Sequence, residues 1–116
     1  MGMVSRMVKV AISLEMNRGW DSPVAYRFAR APFFAIVDTD TGDLQIFPNQ
    51  YGGGRGGVGP LVAQWLANLG VQVVIAPHVG PNASAALASF GIQIKISPPG
   101  TPLRQALAMH GFAGGL

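Results

Sequence analysis

Asn49-Gln50-Tyr51-Gly52-Gly53-Gly54-Arg55-Gly56-Gly57-Val58-Gly59 divides the chain into two halves of different pattern. Glycine loses more backbone freedom on ordering than any other residue, so this stretch predicts a loop. Residues 44–47 before it read as a strand. Residues 60–69 after it read as a helix, with Leu61, Val62, Trp65, Leu66 and Leu69 at helical spacing and Gly70 as the stop. Pro60 suits the first helical turn, where no amide hydrogen is needed. A glycine loop opening onto a helix start offers unpaired N–H groups and a positive dipole end to an anion. Arg55 adds a planar cation within it. The same stretch is also compatible with a plain flexible surface loop.

Upstream, residues 7–14 (Met-Val-Lys-Val-Ala-Ile-Ser-Leu) are rich in β-branched side chains and predict a buried first strand. Residues 15–30 are polar and irregular, broken by Gly19 and Pro23. Residues 32–38 predict a second strand, paired as a hairpin with 44–47 across the turn Thr39-Asp40-Thr41-Gly42-Asp43. That acidic turn does not fit a calcium loop, because its glycine is misplaced and no glutamate closes it.

Downstream, helices and strands alternate. Residues 71–76 are the most strand-like run and are expected at the centre of the sheet; residues 81–90 form an alanine-rich helix ended by Gly91. Residues 92–97 alternate as a half-exposed edge strand. Thr101 as N-cap and Pro102 as first helical residue begin a last helix ending near His110. Phe33, Phe34, Trp65 and Phe90 read as core, and Trp20 and Tyr51 as exposed. The order predicts a single α/β domain over 7–111: a three-layer sandwich whose mixed sheet of about five strands carries helices on both faces. A loose arm (1–6) and a short tail (112–116) flank it.

Composition narrows the function. The chain has 116 residues, 49% of them hydrophobic and 11% charged, enough for one packed core. Without cysteine there is no disulfide framework and no thiolate metal site. Apolar runs fall short of the ~20 residues that cross a bilayer. Residues 1–6 lack a signal peptide's apolar core, which favours the cytoplasm. The net charge of +3 is spread over single arginines, chiefly Arg18, Arg27, Arg30, Arg55 and Arg104, with no polybasic tract. This suits a compact anion better than nucleic acid.

Hydrolytic chemistry finds little support. Nucleases built on a hairpin-first sheet hold two metals on acids of the first strand and the next parallel strand. Residues 9–14 and 71–76 carry no acid. Matches to G-x-G-x-x-G inside the glycine run are nearly free, no acid stands where a ribose would need one, and no Gly-Lys-Ser/Thr exists, so no nucleotide cofactor is expected. No serine or threonine has a histidine–acid pair, with only His78 and His110 available. The chain reads as no enzyme. His78 follows a strand beside Pro77 and reads either as a loop histidine or as a neutral imidazole offered to a soft metal cluster. His110 has no site role.

Ligands of open α/β sheets bind beyond the carboxyl ends of parallel strands. Three polar segments should meet there: residues 15–31, the glycine loop, and Pro77-His78-Val79-Gly80.

Ser22-Pro23, Phe28-Ala29-Arg30-Ala31-Pro32-Phe33, the glycine loop, Val73-Val74-Ile75 and Gly80-Pro81-Asn82-Ala83 together resemble the dinitrogenase iron–molybdenum cofactor biosynthesis family, over almost the whole chain. The resemblance implies a ribonuclease-H-like α/β fold without nuclease activity. It also implies binding of an iron- or molybdenum-containing sulfide cluster as an anion. The family's usual Phe-Gly-Arg is Phe28-Ala29-Arg30 here. Arg27 stands where relatives often carry histidine, which keeps a positive charge and removes a ligand.

The expected function is therefore a non-catalytic carrier of an anionic metal–sulfide cluster, with cofactor donor or acceptor proteins as partners. The expected cradle comprises Asn49, Gly53, Gly54, Gly56 and Gly57 of the loop, with Gly80 and Asn82 at the next helix. Arg27, Arg30 and Arg55 balance charge and His78 is the metal ligand. The alternatives are a protein-interaction module anchored by Trp20 and Tyr51, and a binder of, or enzyme on, a small anionic metabolite without a cluster.

Overall fold

β1 (Lys9–Leu14) is the middle strand of a five-stranded sheet ordered β3-β2-β1-β4-β5. The computed structural model describes residues 8–54 and 56–112. The expected arm, Met7, Arg55 and residues 113–116 lie outside the described residues. β2 (Phe33–Asp38) and β3 (Leu44–Pro48) run antiparallel on one side of β1, in the expected hairpin. Its turn closes by Gly42 N–H to Asp38 O (2.8 Å), and Asp38 Oδ1 accepts the amides of Asp40 and Thr41 at 2.9 and 3.3 Å. This carboxylate is occupied in shaping the turn.

On the other side, β4 (Val73–Ala76) and β5 (Gln93–Ile96) add in parallel, joined through the helices α1 (Val58–Asn68) and α2 (Pro81–Ser89). The final helix is α3 (Leu103–Met109). Burial explains the layering. Ala11, Phe34, Ile36, Val74 and Ala76 share one face with Val62, Leu66 and Leu87 of α1 and α2. Val10, Ile12, Leu14, Val37 and Ile75 share the other with Leu103, Ala106 and Leu107 of α3. A strand buried on both faces reads as a continuous apolar run, which is the pattern of β1 and β4.

Several expectations need correction. β4 lies inside the sheet, but β1 holds its centre, because the hairpin and the crossover strands add to opposite edges of β1. α1 starts at Val58, not Pro60: Gly57 takes a left-handed conformation (φ 66) as its cap, and Val58 is buried. Thr101 does not cap α3. Pro102 occupies the cap position, and Thr101 Oγ1 donates to Pro98 O at 2.7 Å. Phe90 is 42% exposed, because it falls at the C-cap of α2, beyond the face turned to the sheet. Phe112, the first residue of the expected short tail, is tied to the domain: its amide donates to Leu107 O (2.8 Å), and its ring packs on the α3-side core. The polar-looking residues 15–30 bury Ser22, Val24, Ala25 and Phe28, and bridge to the sheet and to α3 through Leu14–Val24 and Pro23–Pro102. No helix among the described residues is long and apolar enough to cross a membrane.

Candidate functional site

The chain leaves β1 at Leu14 and the parallel β4 at Ala76 on the same rim of the sheet, and a cleft of about 330 Å³ opens there. One wall is the turn Arg27-Phe28-Ala29-Arg30. The opposite wall is His78, Gly80 and the start of α2 at Pro81, Asn82 and Ala83, with Val58 and Gly59 of α1 as the third side. Two of the three expected segments therefore meet directly. The glycine segment joins them only through the residues that became the first turn of α1.

The turn is held by its aromatic centre. Phe28 is 3% exposed and stands edge-on to Phe34 at 5.4 Å, while Phe34 stands edge-on to Trp65 at 5.8 Å. Such contacts add about 0.5–1.5 kcal/mol to the burial of the rings. Driving Phe28 inward leaves Arg27 exposed and Arg30 half-exposed on either side of it.

Arg30 and Asn49 bind this turn and the glycine segment reciprocally. Arg30 Nη1 donates to Gly52 O (2.9 Å) and Gly54 O (2.6 Å). Asn49 Nδ2 donates to Ala29 O (2.7 Å) and Ala31 O (2.9 Å), and its Oδ1 accepts the Tyr51 amide at 3.0 Å. Asn49 is thus a staple whose amide is consumed by the fold. Asn49, Gly53, Gly54, Gly56 and Gly57 do not line the cleft, Arg55 lies outside the described residues, and Arg27, Arg30, His78, Gly80 and Asn82 do line it.

α2 begins as expected, with Gly80 as an extended cap and Pro81 in the first turn. Its hydrogen-bond ladder starts with Ser84 N–H to Gly80 O (2.8 Å), so the amides of Asn82 and Ala83 have no partner within the helix. The dipole of the nine-residue helix favours negative charge at the same place. Val58, Gly59 and Ala83 were missed from the sequence, and the one available signal was Val58, an apolar residue inside a glycine run. Trp20 and Tyr51 are not exposed anchors: Trp20 packs on the α3-side core, and Tyr51 leans on Trp65 at 6.2 Å. The most exposed aromatic among the described residues is Tyr26 (72%), in a second hollow of about 380 Å³ that shares Arg27 and Arg30 and adds Glu15.

Among the described residues, the first cleft contains no acid in its lining. No group of three or more His, Cys, Asp or Glu among the described residues could hold a metal ion. Two guanidiniums, backbone donors and one imidazole do not fit a bare cation. They do fit a pre-assembled anionic group that brings its own sulfide ligands, with at most one position left for the imidazole.

The fold and this cleft define a small single-domain α/β protein with a cationic, acid-free cleft at the carboxyl ends of its parallel strands. The family model for the dinitrogenase iron-molybdenum cofactor matches residues 8–111, and the chain belongs to that family. Among solved structures it is similar to the apo form of the orange protein from Desulfovibrio gigas: 33% identity, TM-score 0.84, covering 92% of this chain and 89% of that one. It is also similar to a NifB-like protein of the DUF35 family from Thermotoga, with 34% identity, TM-score 0.75 and coverage of 91% and 90%. No curated protein matches it. Family and neighbours together support a cofactor-associated binding role.

Proposed function

We propose that the protein is a non-catalytic carrier of a pre-assembled, anionic iron- or molybdenum-containing sulfide cluster, which is its cargo. The observation that carries this reading is the sign of the cleft: Arg27, Arg30, His78 and the first turn of α2 converge on one hollow whose lining includes no acid. In this role Arg27 and Arg30 balance the cargo's charge, the amides of Asn82 and Ala83 donate to its outer sulfides, and the exposed His78 imidazole coordinates a metal at its rim. Membership of the iron-molybdenum cofactor family supports the class of cargo. The cleft volume, within the ~300–1,000 Å³ of small-ligand sites, supports its size. The partners are the proteins that load and unload the cluster.

Anaerobic mixing with tetrathiomolybdate, with and without ferrous iron, tests the reading. After desalting, the wild type is expected to retain molybdenum and to show a shifted charge-transfer band. Protein that emerges metal-free with unshifted absorption overturns it.

A further inference from the structure

Gly59 is the second residue of α1, a position where helix propensity gives glycine no advantage over alanine. Its backbone does not require glycine, since it is not among the residues of positive φ. Space does require it. A Cβ built on Gly59 would stand 2.9 Å from Ala83 Cβ and 3.3 Å from both Ala83 Cα and Ala83 N. Both residues line the cleft, and Ala83 is only 5% exposed. The Ala83 amide lies outside the helical ladder, so its N–H calls for a partner from elsewhere.

From this we infer that Gly59 is a positioning residue of the cleft: its missing side chain keeps the Ala83 amide open as a donor to the bound anion. The inference rests on the carrier reading and assigns a specific donor within it. Any side chain at 59 would cover that amide, in addition to pushing the starts of α1 and α2 apart. The two effects separate in a pair of variants. In Gly59→Ala the added methyl meets Ala83 Cβ at a distance that real Cβ atoms do not show, so both stability and binding fall. Adding Ala83→Gly removes the Cβ contact but leaves the methyl 3.3 Å from the amide nitrogen.

The experiment measures melting temperature and tetrathiomolybdate affinity for the wild type, Ala83→Gly, Gly59→Ala and the double variant. It also records the amide shifts of the wild type by NMR on adding tetrathiomolybdate. The double variant is expected to melt close to Ala83→Gly alone, yet to bind about ten- to a hundredfold more weakly, the scale of one lost charge-assisted hydrogen bond. The Ala83 amide is expected among the most shifted resonances. Full recovery of affinity in the double variant, or an Ala83 amide that does not move while the protein binds, overturns this inference alone and leaves Gly59 a packing residue. Absence of binding by the wild type overturns the carrier reading and this one together.

Discussion

Replacing Asn49 separates two roles for the glycine segment, as scaffold and as cradle. The side chain makes three hydrogen bonds, to Ala29 O, to Ala31 O and from the Tyr51 amide, at 2.7, 2.9 and 3.0 Å. Its orientation is forced, because a flipped amide would set its oxygen against two carbonyls and its nitrogen against an N–H. Each bond contributes about 0.5–1.5 kcal/mol net, and Asn49 is only half-buried, so Asn49→Ala should cost about 2–3 kcal/mol. For a chain of 116 residues the unfolding entropy is about 0.24 kcal/mol/K at the midpoint, which converts that loss to about 8–12 °C in Tm. Asn49→Asp, nearly the same shape, should cost more, about 4 kcal/mol or above. It places a carboxylate against two carbonyl oxygens and leaves no donor for either. Thermal and urea unfolding followed by circular dichroism measure both. Anion affinity should fall only in step with the loosened turn that carries Arg27 and Arg30. If Asn49→Asp melts within about 2 °C of the wild type, the staple is not there. If Asn49→Ala keeps its stability and loses binding, Asn49 is a cradle residue and the reasoning fails.

Ser13 is fully buried on β1, and its hydroxyl is the one buried side-chain polar atom without a partner among the described residues. Ser13→Ala should therefore be neutral or stabilising by up to about 1 kcal/mol, read as an equal or higher urea midpoint at unchanged m-value. Arg27 is exposed and lines both hollows, so Arg27→Ala should leave the melting temperature within about 1 °C. Its tetrathiomolybdate affinity should drop several-fold at low salt, with the gap to the wild type closing as ionic strength rises.

The strands were legible because they follow local pattern: β1, β2 and β4 are apolar runs, and β5 alternates as an edge must. What was not legible depended on contacts between distant residues. Residues 15–30 look polar, yet Val24 is completely buried, because its amide bonds Thr101 O (2.8 Å) from the far end of the chain. The cleft was legible on its charged side. Arg27, Arg30, His78, Gly80 and Asn82 are conspicuous types near breaks in the pattern. Gly59 and Ala83 are ordinary residues, one more glycine in a run and one more alanine in a helix. Their close approach in the cleft lining exists only once α1 and α2 touch.

The arrangement of Arg27 and Arg30 around Phe28 shows how an ordinary core residue builds a charged site. Arg27 and Arg30 line the same two hollows, and two like charges repel by about 1 kcal/mol at 4 Å in water and by more where the dielectric is lower. Nothing in the turn itself would keep them together. Burying Phe28 almost completely contributes about 1.5–3 kcal/mol, and its edge-on contact with Phe34 adds to that. The aromatic anchor is of the same order as such a repulsion, enough to hold the turn in place. In the proposed carrier role, an anion bound there would offset the repulsion by its attraction to both charges. In that role the core contact sets the backbone of the turn before the anion arrives, which lowers the ordering cost of binding. The glycine segment, whose described residues 49–54, 56 and 57 do not line the cleft, is also tied to this turn. Arg30 fixes it through two of its carbonyls, at Gly52 and Gly54, and the segment in turn limits how far Arg30 can retreat from the cleft.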